Sequence, residues 1–273
     1  MVVPKKSFGQ HFLHDQSVIG KIMAAAEPEV FKFVVEVGPG TGALTKELGS
    51  GRRSSGFANS LTLLEADNEL IPKLEVDYPE ATVIRTDAAA FDYDSLVFGD
   101  ESWLLIGNLP YNAATAIVMK ALEAKHSPAR LVIMVQKEVG ERMLALPGHM
   151  SVLSVAIGVY ATAERVCIVK PGAFIPPPKV DSMVLKLTTK KFNDSVKPDD
   201  RRPDPSKIIA LAKAGFASRR KFLVSNLVKA GLGKADEVRS WLVENGFTDK
   251  ARAEELTVEH WKELTTHLTA HQG

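Results

Sequence analysis

Between Phe33 and Val135, short apolar runs alternate with segments whose apolar positions recur every three or four residues. Phe33–Val37, Leu61–Leu64, Thr82–Arg85, Trp103–Ile106 and Leu131–Val135 are runs of strand length, and the spacing predicts helices over Leu44–Leu48, Glu69–Glu75 and Ala113–Ala124. Near-continuous apolar strands separated by helices imply a parallel sheet covered on both faces, an α/β arrangement. Gly49–Ser60, rich in Gly, Ser and Arg, reads as a polar surface loop. Two further strands are predicted at Arg165–Val169 and Met183–Leu187. They flank Pro171–Pro178, which its prolines exclude from regular structure because they remove amide donors.

After Leu187 the pattern changes. Lys190–Pro205 is polar and charged and holds three prolines, the composition of a linker. Beyond it, Ser206–Asn226, Lys234–Asn245 and Thr257–Ala270 have helical periodicity, punctuated by Gly231–Gly233 and Gly246. The expected division is a first domain over 1–188, a linker over 189–205 and a small all-helical domain over 206–273.

Charge alters this picture more than bulk composition does. The 273 residues carry 34 Lys+Arg against 33 Asp+Glu, a net +1. Residues 1–185 hold 17 basic and 21 acidic side chains, residues 186–252 hold 16 and 8, and residues 253–273 hold 1 and 4. A neutral protein with one strongly positive third is built to hold a polyanion locally; a solvated face is the ordinary alternative for such a stretch. The 45% hydrophobic content excludes a disordered or fibrous chain. The single cysteine, Cys167, excludes an internal disulfide and a Cys-x-x-Cys zinc site, which suits a reducing compartment. No apolar run approaches the length of a bilayer span, and Met1–Leu13, with Lys5 and Lys6, lacks the apolar stretch of an export signal. The expectation is a cytoplasmic monomer with no membrane partner.

Glu36-Val-Gly38-Pro-Gly40-Thr-Gly42 follows the first strand of the sheet and opens a helix, where glycines let backbone approach a ligand. The Gly-x-Gly-x-Gly spacing differs from that of dinucleotide folds, and the loop carries no Lys or Arg to meet a phosphate. Glu65 closes the next strand, where a carboxylate accepts from both ribose hydroxyls. Asp87, closing the third, is placed to accept from an adenine amino group, or simply to cap a turn. Glu36 at the loop entrance suits an ammonium or sulfonium charge. S-adenosylmethionine, an adenosyl ligand without phosphates, meets all of these conditions.

Asn108-Leu109-Pro110-Tyr111 follows the fourth strand, at the carboxyl end of the sheet where open α/β folds bind ligands. Methyl transfer to an exocyclic amine needs acceptors for its N–H groups, so that the nitrogen lone pair points at the methyl carbon. The Asn108 side-chain oxygen and a backbone carbonyl freed by the proline geometry supply them. Tyr111 offers a flat surface for a flipped-out base. As a bland alternative, Asn-x-Pro before a helix is a turn with a cap.

Seven signatures in order resemble one family, the KsgA family of small-subunit ribosomal RNA adenine N6,N6-dimethyltransferases. They are Phe8–Leu13, Glu36–Thr45 with Glu65–Asp67, Asp87-Ala88, Gly107–Asn112, Val135–Val139, Ala173–Ser182, and Phe216–Lys221 with Arg252–Glu254. The resemblance implies a Rossmann-like S-adenosylmethionine-dependent methyltransferase sheet with a small helical carboxy-terminal domain. It also implies dimethylation of two adjacent adenosines and a role in ribosome biogenesis on small-subunit rRNA or a pre-ribosomal particle. His11, Leu13, Gly38, Glu65, Asp87 and Asn108 would contact the cofactor, with Gln10, Glu36, Gly40 and Ala88 completing the set. Tyr111 and Phe174 would sandwich the target adenine beside Asn108, Leu109 and Pro110, and Arg219, Arg220 and Lys221 would meet RNA. The family usually carries Asn where His11 stands and often an Asn where Ser225 stands. No metal is implied; His267 and His271, four residues apart, read as a solvated tail. The alternatives are a large-subunit rRNA adenine methyltransferase conferring antibiotic resistance, or a non-catalytic ribosome-assembly factor.

Overall fold

The computed structural model describes residues 10–54, 60–96, 98–99, 101–190 and 203–270. Lys5, Lys6, Phe8, Gly9, most of the expected linker and His271 lie outside the described residues. The chain runs β1 (Phe12–Leu13), α1 (Gln16–Ala26), β2 (Phe33–Val37), α2 (Ala43–Ser54), β3 (Ser60–Glu65), α3 (Ile71–Asp77) and β4 (Thr82–Arg85). It continues β5 (Trp103–Asn108), α4 (Ala114–Glu123), β6 (Arg130–Gln136), α5 (Lys137–Met143), α6 (Val152–Tyr160), β7 (Ala161–Val169), β8 (Phe174–Ile175) and β9 (Ser182–Thr189). Four helices follow: α7 (Pro205–Gly215), α8 (Leu223–Lys229), α9 (Ala235–Glu244) and α10 (Val258–Ala270).

The main sheet has seven strands in the order β4-β3-β2-β5-β6-β9-β7. From β4 to β6 all neighbours are parallel, as the apolar runs imply. The other edge departs from the expected all-parallel sheet, because β9 pairs antiparallel with both β6 and β7. Only Lys170–Asp181 separates β7 from β9, too short a connection for the crossover a parallel neighbour needs. Register matters most at the centre, where Glu36 on β2 lies opposite Leu63 on β3 and Ile106 on β5. The carboxyl ends of these strands are therefore level. The chain goes outward from β2 to β4 and returns to β5 on the other side of β2, so the strand order reverses between β2 and β5.

By contacts the chain forms two compact units, residues 1–140 with 161–190, and residues 141–160 with 191–273. In the first, Ile19, Ile22, Leu44, Leu63, Ile106, Val132 and Val184 belong to one buried cluster. In the second, Val155 and Val159 of α6 join Leu211, Leu223, Leu227, Trp241, Trp261 and Leu264 of the carboxy-terminal helices. Nothing in the hydrophobic pattern marks α6, since Val152–Tyr160 is apolar on nearly every side and has no amphipathic period.

Three local expectations are corrected. The polar stretch read as a loop from Gly49 is helical to Ser54: α2 is anchored by buried Leu44 and Leu48, and each further turn adds a hydrogen bond per residue fixed. Pro171–Pro178 contains a 3-10 turn at Pro171–Ala173 and the two-residue strand β8, because Phe174 and Ile175 precede the prolines and keep their amides. The helix read over Ser206–Asn226 is broken at Gly215. There a Cβ would collide with the Trp261 ring and Leu223, and the chain turns before α8 starts. Asn226 holds that break: its Nδ2 donates to the carbonyls of Gly215 at 2.6 Å and Ser218 at 3.1 Å. Removing the amide leaves two carbonyls without that donor, each worth about 1–2 kcal/mol. Asn226→Ala is expected to cost about 2–3 kcal/mol in urea unfolding; a loss within a few tenths would show that the turn closes without this bond.

Candidate functional site

The level strand ends place five predicted residues around one cleft. Gly38 and Gly40 follow β2, Glu65 ends β3, Asp87 follows β4, Asn108 ends β5, and all line the same concavity. Gln10, His11, Leu13, Glu36, Ala88, Leu109, Pro110 and Tyr111 complete the predicted part of the lining. The cleft is concave and open to solvent, with a cavity volume of about 120 Å³.

The loop after β2 is held in a conformation that glycine favours. Gly38, Gly40 and Gly42 have φ of 65°, 57° and 86°. A Cβ on Gly40 would lie 3.1 Å from the Phe12 ring, and one on Gly42 would strike the Tyr78 hydroxyl. Glu65, 6% exposed, ties this loop to the turn beyond β3: Oε2 accepts from the Gly40 amide at 3.2 Å and Oε1 from the Asp67 amide at 2.8 Å. Burial raises the Glu65 carboxyl, and the amides donated to it oppose that rise. Asp67 Oδ2 in turn accepts from Gln10 Nε2 at 2.9 Å, so the amino-terminal strap, the β3 turn and the glycine loop form one network. The buried carboxylate of Asp67 stands outside the cleft lining and is the junction of this network. An acid two positions beyond another acid at a strand end is the signal it leaves.

Asp87 lines the cleft and caps the turn after β4, its Oδ1 accepting from the Ala89 amide at 2.9 Å. Ala88 is buried, its carbonyl accepting from the Tyr93 hydroxyl at 3.1 Å. Asn108 Nδ2 donates to the His11 carbonyl at 2.9 Å. That bond sets the amide orientation and leaves Oδ1 as the acceptor. Of the carbonyls flanking the proline bond, Pro110 O already receives the amides of Ala113 and Ala114 at 3.0 and 2.9 Å. Leu109 O is therefore the backbone acceptor that the motif offers. The Tyr111 hydroxyl bonds Ser182 Oγ at 2.7 Å, and the ring is half-buried beside the cleft.

Four predicted residues sit differently from expectation. Phe174 is 2% exposed, packs in the core of the first unit and is absent from the cleft lining. Alternation along β8 turns Phe174 inward and Ile175 outward. Arg219, Arg220 and Lys221 are exposed in the turn between α7 and α8 instead of on a helix, and they belong to the second unit.

Glu36 is 1% exposed and accepts from Thr45 Oγ1 at 2.7 Å. Burial pushes its carboxyl up to about 8; the Thr45 hydrogen bond opposes this and the charge of Glu65 adds to it. Burial thus favours the protonated form of the Glu36 carboxyl. No lysine or arginine lines the cleft among the described residues, which fits an adenosyl group without phosphates. No cluster of three or more metal-ligating side chains occurs among the described residues, and no described helix is long and apolar enough to cross a membrane.

Comparison with known proteins follows the same line. The sequence profile described as Ribosomal RNA adenine dimethylase matches residues 3–270. A protein of Syntrophotalea carbinolica named Ribosomal RNA small subunit methyltransferase A is 39% identical over 271 residues, covering 98% of each chain. Among solved structures, a dimethyladenosine transferase from Plasmodium falciparum superposes with a TM-score of 0.71 at 24% identity, covering 93% of this chain and 96% of that one. The 23S rRNA methyltransferase ErmE gives 0.71 and 24% over 94% and 99%. At that identity the two structures speak for the fold alone.

The buried Glu36 carboxyl makes stability depend on pH. Between its ordinary value of 4.5 and about 8, the folded protein keeps a proton that the unfolded chain has lost, so stability falls as pH rises through that window. Glu36→Gln removes the titration. Its thermal midpoint relative to the parent is expected to rise steadily from about pH 5 to about pH 9 in calorimetry without cofactor. A constant difference would show that Glu36 does not titrate there.

Proposed function

The chain belongs to the ribosomal RNA adenine dimethylase family, and from that premise we propose that it transfers methyl groups from S-adenosylmethionine to N6 of adenine in small-subunit ribosomal RNA, twice on each of two adjacent adenosines. The observation carrying this reading is the convergence of the glycine loop, Glu65, Asp87 and an oriented Asn108 on one cleft. S-adenosylmethionine supplies a methyl group on a sulfonium, a leaving group that needs no metal. Glu65 accepts from the ribose, Asp87 and the Ala88 backbone meet the adenine, and Gly38 and Gly40 admit the ligand against the backbone. Gln10, the His11 main chain, Leu13 and Glu36 close the remaining sides.

The target N6 is weakly basic because its lone pair is shared with the ring. Orientation and water exclusion carry the rate more than a tuned base does. Asn108 Oδ1 and Leu109 O accept the two N–H groups and turn the lone pair out of conjugation toward the methyl carbon; Pro110 fixes the backbone that presents them. Tyr111 stacks on the flipped base. The helical domain over 206–273, beyond the linker over 189–205, docks the RNA through Arg219, Arg220 and Lys221. The protein acts as a cytoplasmic monomer on rRNA within a pre-ribosomal particle, in ribosome biogenesis.

The decisive assay is methyl incorporation into small-subunit particles from cells lacking this protein. Wild-type enzyme is expected to modify adenines of the small-subunit rRNA, and Asn108→Ala to lose about 10²–10³ in kcat while RNA affinity changes little, as for removal of an oriented polar group that acts in the transition state. Incorporation only into large-subunit rRNA, or none, would overturn the proposal. Wild-type turnover by Asn108→Ala would overturn the acceptor assignment alone.

The exposed cationic turn generates a salt prediction. Each phosphate contact contributes about 0.7–0.9 to the slope of log affinity against log salt. Arg219→Ala/Arg220→Ala/Lys221→Ala is expected to lower that slope by at least about one unit, with S-adenosylmethionine affinity unchanged. An unaltered slope would make the turn a solvated surface and nothing more.

A further inference from the structure

The turn that carries Arg219, Arg220 and Lys221 ends in an aromatic ring that the fold does not use. Phe222 is 40% exposed, stands outside the buried cluster of the second unit and stacks on no other ring among the described residues. It occupies the N-cap of α8 with extended φ and ψ of -66° and 151°, and it makes no side-chain cap hydrogen bond. A phenyl ring has no oxygen to offer the amides of the first turn, and a serine there would serve the helix better. The backbone around the ring is fixed: the Lys221 amide donates to the Ser218 carbonyl at 3.0 Å and the Leu223 amide to the Ala251 carbonyl at 2.9 Å. The second bond places Ala251, and with it Lys250 and Arg252, beside the start of α8. Residues 219–223 and 249–252 together hold five cations, all exposed, and one carboxylate, Asp249. Along α8, Ser225 and Lys229 follow Phe222 at three and seven positions on, an exposed face of the helix.

We propose that Phe222 is a stacking platform for one unpaired base of the RNA, with the surrounding cations holding the phosphates on either side of it. This rests on the reading of Arg219, Arg220 and Lys221 as an RNA surface, and it names what that surface takes: a loop, a bulge or a strand end, not a duplex. In an A-form helix each base face is covered by its neighbours, whereas an unpaired base offers its whole face to a flat ring. An aromatic face set among Lys and Arg is the composition that suits single-stranded nucleic acid, because stacking accepts any base and the charges follow the backbone. Charge also selects RNA over an apolar protein partner, which would have to desolvate five cations around the ring with one carboxylate to compensate them. A turn already fixed by its backbone has little order left to gain when the base arrives. Phe222 is absent from the lining of the cleft, so the base it holds is docked and not methylated.

The test measures the affinity of the full-length protein for small-subunit particles from cells lacking it, and for a stem-loop RNA and a blunt duplex of the same stem, over a salt series. Loss of one base–ring stack predicts that Phe222→Ala binds particle and stem-loop about tenfold more weakly, and the duplex as wild type does. Its line of log affinity against log salt is expected to run parallel to that of wild type, because a ring releases no counterions. Phe222→Tyr keeps the ring and is expected within about threefold of wild type, whereas Phe222→Leu is expected to match Phe222→Ala. Phe222→Ser supplies the missing cap, so its thermal midpoint is expected to rise by about 2–4 °C while its affinity falls, a pairing that a structural role cannot produce. Wild-type affinity in Phe222→Ala, equal losses on stem-loop and duplex, or a lower midpoint in Phe222→Ser would overturn the assignment. Recovery in Phe222→Leu would also overturn it, and would mark an apolar contact with a protein in place of a base. Failure of the parent reading is distinct: wild-type enzyme would then leave small-subunit adenines unmodified, while the stem-loop comparison does not depend on turnover.

Discussion

The parallel register of β2 with its two neighbours is the constraint from which the cleft follows. Glu36 lies level with Leu63 on one side and Ile106 on the other, so the loops after three strands open at the same height. A slip of one residue would carry every side chain of β2 to the opposite face and lift the glycine loop out of line with Glu65 and Asn108. The apolar content of these strands prevents this, since both faces of the sheet are buried and neither tolerates a polar register. Chemistry at the rim and packing at the centre are the same fact seen from two ends of a strand.

Backbone amides and carbonyls do most of the positioning above that sheet. Glu65 is held by the amides of Gly40 and Asp67, Asp87 binds the Ala89 amide, and the Asn108 side chain rests on the His11 carbonyl. Side chains bonded to backbone have few ways to relax, and a cleft assembled from them is organised before a ligand arrives. Glu36 differs. It is buried behind the loop, its chemistry governed by desolvation, and the link to Thr45 joins the end of β2 to the first turn of α2.

Five strands and the cleft-forming loops were legible because apolar runs of strand length coincide with the motifs that hold Gly38, Glu65, Asp87 and Asn108. The antiparallel pairing of β9 was not legible, because apolar runs look alike in either direction. Helix α6 lacked a period, and the break at Gly215 depends on Trp261, 46 positions away in sequence and invisible to local spacing. The inward turn of Phe174 follows from β8 pairing with β1, a tertiary contact between segments far apart in the chain. Local pattern gave the strand ends; long-range contacts decided which rings reach the cleft.

Helix α6 has a consequence for synthesis of the chain. It leaves the ribosome before β7 and β9, yet its apolar residues Val155 and Val159 share a buried cluster with helices that begin at Pro205. During translation this oily segment waits some 45 residues for its cover, and the sheet must close around an interruption already made. A chain stopped or cleaved between β9 and α7 would expose it permanently. The carboxy-terminal helices are thus the lid on a hydrophobic debt incurred early in translation, and premature termination anywhere after β9 leaves a product fit for aggregation or proteolysis rather than a working half.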